Sequence, residues 1–195
     1  MNFEQPSPHQ IQQLLKLWKA VFGEYDGFWE LFLRTAFLPD HCRCIMENGQ
    51  VTAGLYWFDC SCGTDKIAYI YAVVTDPAHR GNGLCRKLMA DVHVHLKMQG
   101  YASAMLVPAD NGLWEMYRKM GYEDCTRISS ISCNPGVIPA QIRNISVEEF
   151  SVLRRQLIPE GGVLQEGVQL PFLAAQAQLF AGQDFLLAAW LEGNV

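Results

Sequence analysis

Thr75-Asp76-Pro77-Ala78-His79-Arg80-Gly81-Asn82-Gly83-Leu84-Cys85-Arg86-Lys87-Leu88 is the stretch on which the reading of this chain turns. It leaves a segment rich in Tyr, Ile and Val, bends at a proline, passes through Arg-Gly-Asn-Gly and enters a helical pattern. Glycines at 81 and 83 let the backbone bend and approach a ligand closely. The first amides of the following helix have no intrahelical acceptor. Together with the helix dipole they make an anion site. Arg80 adds a permanent charge and a planar donor fork suited to phosphate oxygens. Two other phosphate loops do not fit. A dinucleotide fingerprint needs a third glycine where Arg86 stands, and a Walker loop needs a Gly-Lys-Ser/Thr run that the sequence lacks.

Upstream, Lys66 to Thr75 has the composition of a central strand. Before it, Cys42–Glu47 and Val51–Asp59 read as a hairpin closed by Asn48-Gly49, with residue 46 opposite 51 and 42 opposite 55. Ser7-Pro8-His9-Gln10 is a capping box with proline at the first helical position, and Ile11, Leu14, Leu15, Trp18, Val21 and Phe22 follow at helical spacing. A second short helix is expected over Gly27 to Phe37. Downstream, Leu84, Leu88, Val92 and Leu96 mark a helix that stops at Gly100. Ala102 to Val107 is a short strand, and Asp110 or Asn111 caps another helix that stops at Gly121. One or two closing strands are expected over Tyr122 to Cys133.

The order is two helices, three strands, then helix, strand, helix, strand. Consecutive strands predict antiparallel pairing, and the strand–helix–strand passage predicts one parallel pair. The predicted fold is α/β in the α+β sense: a mixed, mostly antiparallel sheet flanked by helices.

Composition narrows the partners. The chain has 195 residues, half of them hydrophobic and 18% charged, with a formal net charge of -5. That is the profile of a globular protein with a sizeable core. No basic stripe marks a nucleic-acid surface, and no apolar run reaches the roughly 18 residues that would cross a membrane. The first residues lack the pattern of a secretory signal, so the expected location is cytoplasmic. Seven cysteines at 42, 44, 60, 62, 85, 125 and 133 then read as reduced thiols. Cys42-Arg43-Cys44 and Cys60-Ser61-Cys62 raise a four-thiolate zinc site. The hairpin register sets Cys60 five residues, roughly 17 Å, beyond the partner of Cys42, so no metal is expected.

Arg80-Gly81-Asn82-Gly83-Leu84-Cys85 resembles the Arg/Gln-x-x-Gly-x-Gly/Ala signature of the GNAT superfamily of N-acetyltransferases, with Cys85 in place of Gly or Ala. Asn111-Gly112-Leu113-Trp114-Glu115-Met116-Tyr117-Arg118-Lys119-Met120-Gly121-Tyr122 resembles the family's Asn-x5-Tyr-x-Lys-x-Gly-Phe/Tyr segment. The resemblance spans roughly Ile11 to Cys133 and implies a GNAT-like acyl-CoA N-acyltransferase fold. It further implies acetyl-CoA as the acyl donor. Val73, Val74 and Thr75 would contact pantetheine and the acetyl carbonyl, the loop Arg80, Gly81, Asn82, Gly83, Leu84 and Cys85 the pyrophosphate, and Asn111 the pantetheine arm. Tyr117 would be the catalytic acid that protonates the leaving thiolate.

The activity so implied is acetyl transfer to the primary amine of a small molecule, or of a peptide or protein. The alternative is a sensory module that binds acyl-CoA without turnover. Many relatives use a Glu on or near the central strands as base, directly or through water, yet Lys66 to Thr75 carries no carboxylate. Asp59, Glu24, Asp26 and Glu30 are candidates by sequence order. Tyr69 and Tyr71 share a strand face and either shape the acceptor site or pack the core. His93 and His95 are expected on the surface.

These motifs place an acetyltransferase-like domain at residues 1–134 and an extension at 135–195. Ser146 with Glu149 makes another capping box. Asp184 to Val195 resembles Asp40 to Val51, with a helix upstream in both, like the opening of a second acetyltransferase-like repeat. Three readings stay open for the extension: a truncated second repeat, a half-domain that completes the first sheet, or one that joins two copies as a homodimer.

Overall fold

In the computed structural model, residues 2–125, 140–182 and 186–191 are described. Strand β1 (Asn2–Glu4) leads into helix α1 (Pro8–Phe22), whose capping box forms as its sequence predicts: Gln10 N donates to Ser7 Oγ and Ser7 N to Gln10 Oε1. Helix α2 (Phe28–Thr35) follows, two residues shorter at its C-terminal end than expected. Strands β2 (Cys42–Glu47), β3 (Gln50–Cys62) and β4 (Asp65–Thr75) come next, then helix α3 (Leu84–Met98), strand β5 (Ser103–Met105) and helix α4 (Asn111–Arg118). The sheet runs β1-β2-β3-β4-β5, antiparallel except for the parallel β4–β5 pair. This is the mixed, mostly antiparallel sheet flanked by helices that the element order predicts.

Two β-bulges interrupt the sheet, and the first corrects the expected hairpin register. Asn48 and Gly49 take positive φ of 51° and 79° at the hairpin turn, and Met46 meets Val51 as expected. Ile45, however, meets Ala53, so Thr52 is extra and Cys42 pairs with Tyr56 rather than Leu55. The extra residue is anchored from outside the hairpin, since Thr52 O accepts from Asp76 N at 2.9 Å. Cys60 therefore lies four residues, roughly 13 Å at strand rise, beyond the partner of Cys42. In β4, Leu55 faces both Ala72 and Val73, because Gly54 pairs with Val74 and Tyr56 with Tyr71. Ala72 has φ of 51°, a left-handed conformation that a residue with a Cβ adopts at about 1–2 kcal/mol.

The sheet is covered on both faces. One face carries Tyr56, Phe58 and Val74 against Leu14, Trp18 and Phe32 of α1 and α2. Gly54 permits this approach, because a Cβ there would meet Leu14 Cδ1 at 2.5 Å. The other face carries Leu55, Trp57 and Ile70 against Leu88, Met89 and Val92 of α3, with Tyr117 of α4. His93 and His95 are half-buried on this side, contrary to expectation. His93 Nε2 bonds Tyr122 Oη at 2.8 Å, and His95 lies against Trp57. Burial pushes both imidazoles below their ordinary value. The closing strands expected over Tyr122 to Cys133 do not begin at Tyr122–Cys125, which hold no regular structure, and the rest of that span lies outside the described residues.

The later part of the chain adds β6 (Ala140–Asn144), α5 (Val147–Leu157), β7 (Leu164–Gln165), α6 (Gln169–Ala181) and β8 (Leu187–Leu191). β6 and β8 pair antiparallel as a separate small sheet, and the Ser146–Glu149 capping box forms. β7 pairs with Cys60 and Ser61 at the far end of β3, beyond the reach of β2. Phe172 of α6 is buried against Phe28, Phe32 and Phe58 of the first core. Among the described residues, no helix is long and apolar enough to cross a membrane.

Candidate functional site

β4 and β5 pair only where Ile67–Tyr69 meets Ser103–Met105. Beyond Tyr69 the strands part, and the opening between them is a cavity of about 410 Å³ bordered by Tyr71, Ala72, Val73, Val107 and Tyr117. The β4 bulge sits at this fork. Its Ala72 carbonyl is held by Trp18 Nε1 at 2.8 Å. A bulged residue leaves the strand ladder, so backbone groups at Ala72–Val73 are released for other partners.

A second cavity, about 750 Å³, adjoins the first and shares Phe22, Val73, Leu113 and Tyr117 with it. It is bordered by Val74, Thr75, Arg80, Gly81, Gly83, Leu84 and Cys85, so the structure brings together most of the residues that the sequence nominates. The loop is shaped by its own residues. Asp76 Oδ1 accepts from Ala78 N at 2.9 Å, Arg80 Nε donates to Thr75 O at 3.4 Å and Asn82 Nδ2 to His79 O at 3.2 Å. Gly83 is the N-cap of α3 in the left-handed region at φ 71°, with no side chain capping the helix. No heavy atom lies within 4 Å of where a Cβ would stand at Gly81 or Gly83. Conformation, not crowding by the protein, therefore calls for glycine, and the first-turn amides of α3, which no side chain caps, are left for an anion. Among the described residues, neither Arg80 nor Arg86 forms an ion pair. Arg86 also borders this cavity. Sequence reasoning missed it, treating it only as a misplaced third glycine, although a basic residue in the first turn after the loop is itself a phosphate signal.

Asn82 and Asn111 stand apart. Both are exposed and neither borders the cavity, whereas Asp110 does. Asp110 is the N-cap of α4, its Oδ1 accepting from Leu113 N at 2.8 Å.

Tyr117 is 6% exposed and borders both cavities. Among the described residues no side chain hydrogen-bonds its hydroxyl. Burial, with a smaller contribution from Cys85, pushes its phenol well above the ordinary value, so the hydroxyl keeps its proton and acts as a donor. Burial likewise raises the Cys85 thiol. None of the four candidate bases reaches these cavities. Glu24 and Glu30 bond Lys19 Nζ at 3.1 and 2.9 Å, and Asp26 is exposed. Asp59 lies on the α3 face of the sheet, opposite Tyr69 and Tyr71, and accepts from Tyr101 Oη beside Lys66 and His41.

A third cavity, about 500 Å³, shares Tyr69, Tyr71 and Val107 with the opening between β4 and β5. A larger one, about 860 Å³, lies along β5 as far as Cys125 and shares none of Val73, Arg80 or Tyr117.

A family profile for the acetyltransferase (GNAT) domain matches residues 3–125. No curated protein matches the chain. Among solved structures, a GCN5-related N-acetyltransferase from Anabaena variabilis ATCC 29413 superposes with a TM-score of 0.54 at 24% identity, over 60% of this chain and 30% of that one. This chain thus spans less than a third of that protein. Glucosamine-6-phosphate N-acetyltransferase from Arabidopsis thaliana gives 0.53 at 16% identity, over 68% and 98% of the two chains. An aminoglycoside acetyltransferase from an uncultured soil metagenomic sample, in complex with sisomicin, gives 0.54 at 15% identity, over 69% and 96%. At these identities the structural likeness speaks for the fold.

Proposed function

The chain belongs to the acetyltransferase (GNAT) domain family, and from that premise we propose that it transfers an acetyl group from acetyl-CoA to the primary amine of a small molecule. The observation that carries this reading is Tyr117, which borders both the cavity of the Arg80–Cys85 loop and the opening between β4 and β5. On this reading a donor hydroxyl stands where the arm for the phosphates and a fork of released backbone meet.

Acetyl-CoA supplies the activated acyl group, and the residues of the groove suit it. Arg80, Arg86 and the uncapped first turn of α3 offer positive charge and amide donors for the phosphates. Val73, Val74 and Thr75 offer strand-edge backbone to the pantetheine arm. Backbone N–H at the bulge serves as donor to the carbonyl oxygen as it gains charge. The amine nitrogen attacks the thioester carbon, the C–N bond forms and the C–S bond breaks. Nitrogen gives up a proton to water in the groove, and sulfur takes one from Tyr117, which water then reprotonates. A raised Tyr117 phenol would be a poor acid toward a thiolate in water. In the same buried surroundings the thiolate is made more basic too, as Cys85 is, which keeps the transfer feasible.

A thiol-release assay with acetyl-CoA and a panel of amines tests the reading. Amine-dependent release is expected. Tight acetyl-CoA binding without release for any amine would leave only a binding module.

A further inference from the structure

The proposed transfer leaves two questions: what accepts the acetyl group, and how an amine becomes a neutral nucleophile when the carboxylate that borders the groove, Asp110, is already engaged as the cap of α4. The opening between β4 and β5 and the third cavity together form the part of the groove beyond Tyr117, and no charged side chain borders either of them among the described residues. The contrast with the phosphate arm, which carries Arg80 and Arg86, is sharp.

The third cavity is walled on one side by the sheet, through Phe58, Tyr69 and Tyr71, and on the other by β7 and α6, through Gln165, Phe172 and Gln176. The later part of the chain thus supplies half of it. Its polar atoms are neutral. Gln169 Oε1 accepts from Cys60 Sγ at 3.3 Å, and Gln165 Oε1 is buried with no hydrogen-bond partner. A buried acceptor without a donor costs about 1–3 kcal/mol, which a donor on a bound molecule would recover. Burial pushes Tyr71 up to about 12 and raises Tyr69 as well, so neither phenol brings a charge to the wall.

An ammonium entering such a cavity would shed its water without gaining a counter-ion, a cost that contact with the ring faces, about 2 kcal/mol, offsets only in part. A neutral aromatic molecule would meet ring faces and edges. Resting on the proposed acetyl transfer, we infer that the acceptor is an arylamine, with its ring in the Tyr69–Tyr71–Phe172 cavity and a hydrogen-bond donor directed to Gln165. The lone pair of an arylamine is delocalised into the ring, so its nitrogen is uncharged at neutral pH and needs no base before attack. The lack of a carboxylate in these two cavities and their uncharged wall then have one explanation.

The test uses the full chain loaded with CoA, and calorimetry with 4-aminobenzamide and with spermidine. 4-Aminobenzamide is expected to bind about tenfold or more tightly than spermidine. Leu173 borders the third cavity from α6, and Leu173→Trp is expected to weaken 4-aminobenzamide about tenfold by filling the space, with CoA affinity retained as the sign of a folded protein. Gln176→Glu, which adds a carboxylate without adding bulk, is expected to shift preference toward spermidine. Equal or tighter binding of spermidine, no binding of 4-aminobenzamide, or indifference to both substitutions would overturn the inference. The outcomes separate the two readings. Binding of 4-aminobenzamide without thiol release keeps the arylamine cavity and removes acetyl transfer, whereas thiol release with spermidine preferred keeps the transfer and removes the cavity.

Discussion

The indole nitrogen of Trp18 donates to the carbonyl oxygen of Ala72 at 2.8 Å, joining α1 to the bulge in β4 across 54 positions of sequence. Trp18 is fully buried, stacked on Trp29 with ring centroids 5.7 Å apart. The bulge is therefore held by a residue that the strand's own sequence does not contain. Trp18→Phe is expected to destabilise the fold by about 2 kcal/mol through a small cavity and an unpaired carbonyl. It should also lower turnover, with the affinity for CoA unchanged. Denaturant unfolding and thiol release at saturating acetyl-CoA check the two parts.

Arg80→Ala is expected to weaken CoA about ten- to a hundredfold, the worth of one charge-assisted hydrogen bond. Arg86→Ala should act in the same direction. Calorimetry in low and high salt checks this, and a loss that did not shrink with salt would contradict a phosphate role.

Tyr117→Phe is expected to lower kcat about a hundredfold while the affinity for CoA stays near wild type. Because burial holds the Tyr117 proton well above its ordinary value, the wild-type rate should show no loss from this group between pH 7 and 9. A rate unaltered by the substitution would remove the general-acid role.

Alkaline stability follows from the buried thiols and phenols. Cys60 is raised to about 11 and Cys44 to about 12 from an ordinary 9, and Tyr71 to about 12 from an ordinary 10, in each case chiefly by burial. The folded state thus binds these protons more tightly than the unfolded chain. Their contribution is complete below pH 9, and declines as the unfolded chain ionises and pH rises toward the folded values. Melting temperature under reducing conditions should be flat from pH 7 to 8.5 and fall steeply above.

Local signals were the legible ones. The capping boxes at Ser7 and Ser146, the Asn48-Gly49 turn and the spacing of Leu84, Leu88, Val92 and Leu96 are each written within a few residues, and each forms. The Arg80–Cys85 loop and Tyr117 were legible for the same reason, as two short motifs that the fold brings to one groove. Both bulges were not, because their anchors are Asp76 for Thr52 and Trp18 for Ala72. β7 is two residues long with no alternation to read, and only its partners on β3 define it. His93 and His95 diverge on α3 as spacing requires, but Tyr122 and Trp57 come to meet them from other elements.

The pairing of β7 with β3 also bears on the order in which the groove is made. Cys60 and Gln169 meet across 109 positions, whereas the phosphate arm draws mostly on residues 73–120. Contacts that close long loops form late. A chain leaving the ribosome would acquire the arm of Arg80 and Tyr117 first and the far wall of the groove only after the last third was made. During that interval the proposed seat for acetyl-CoA would be complete while the one proposed for the acceptor was not.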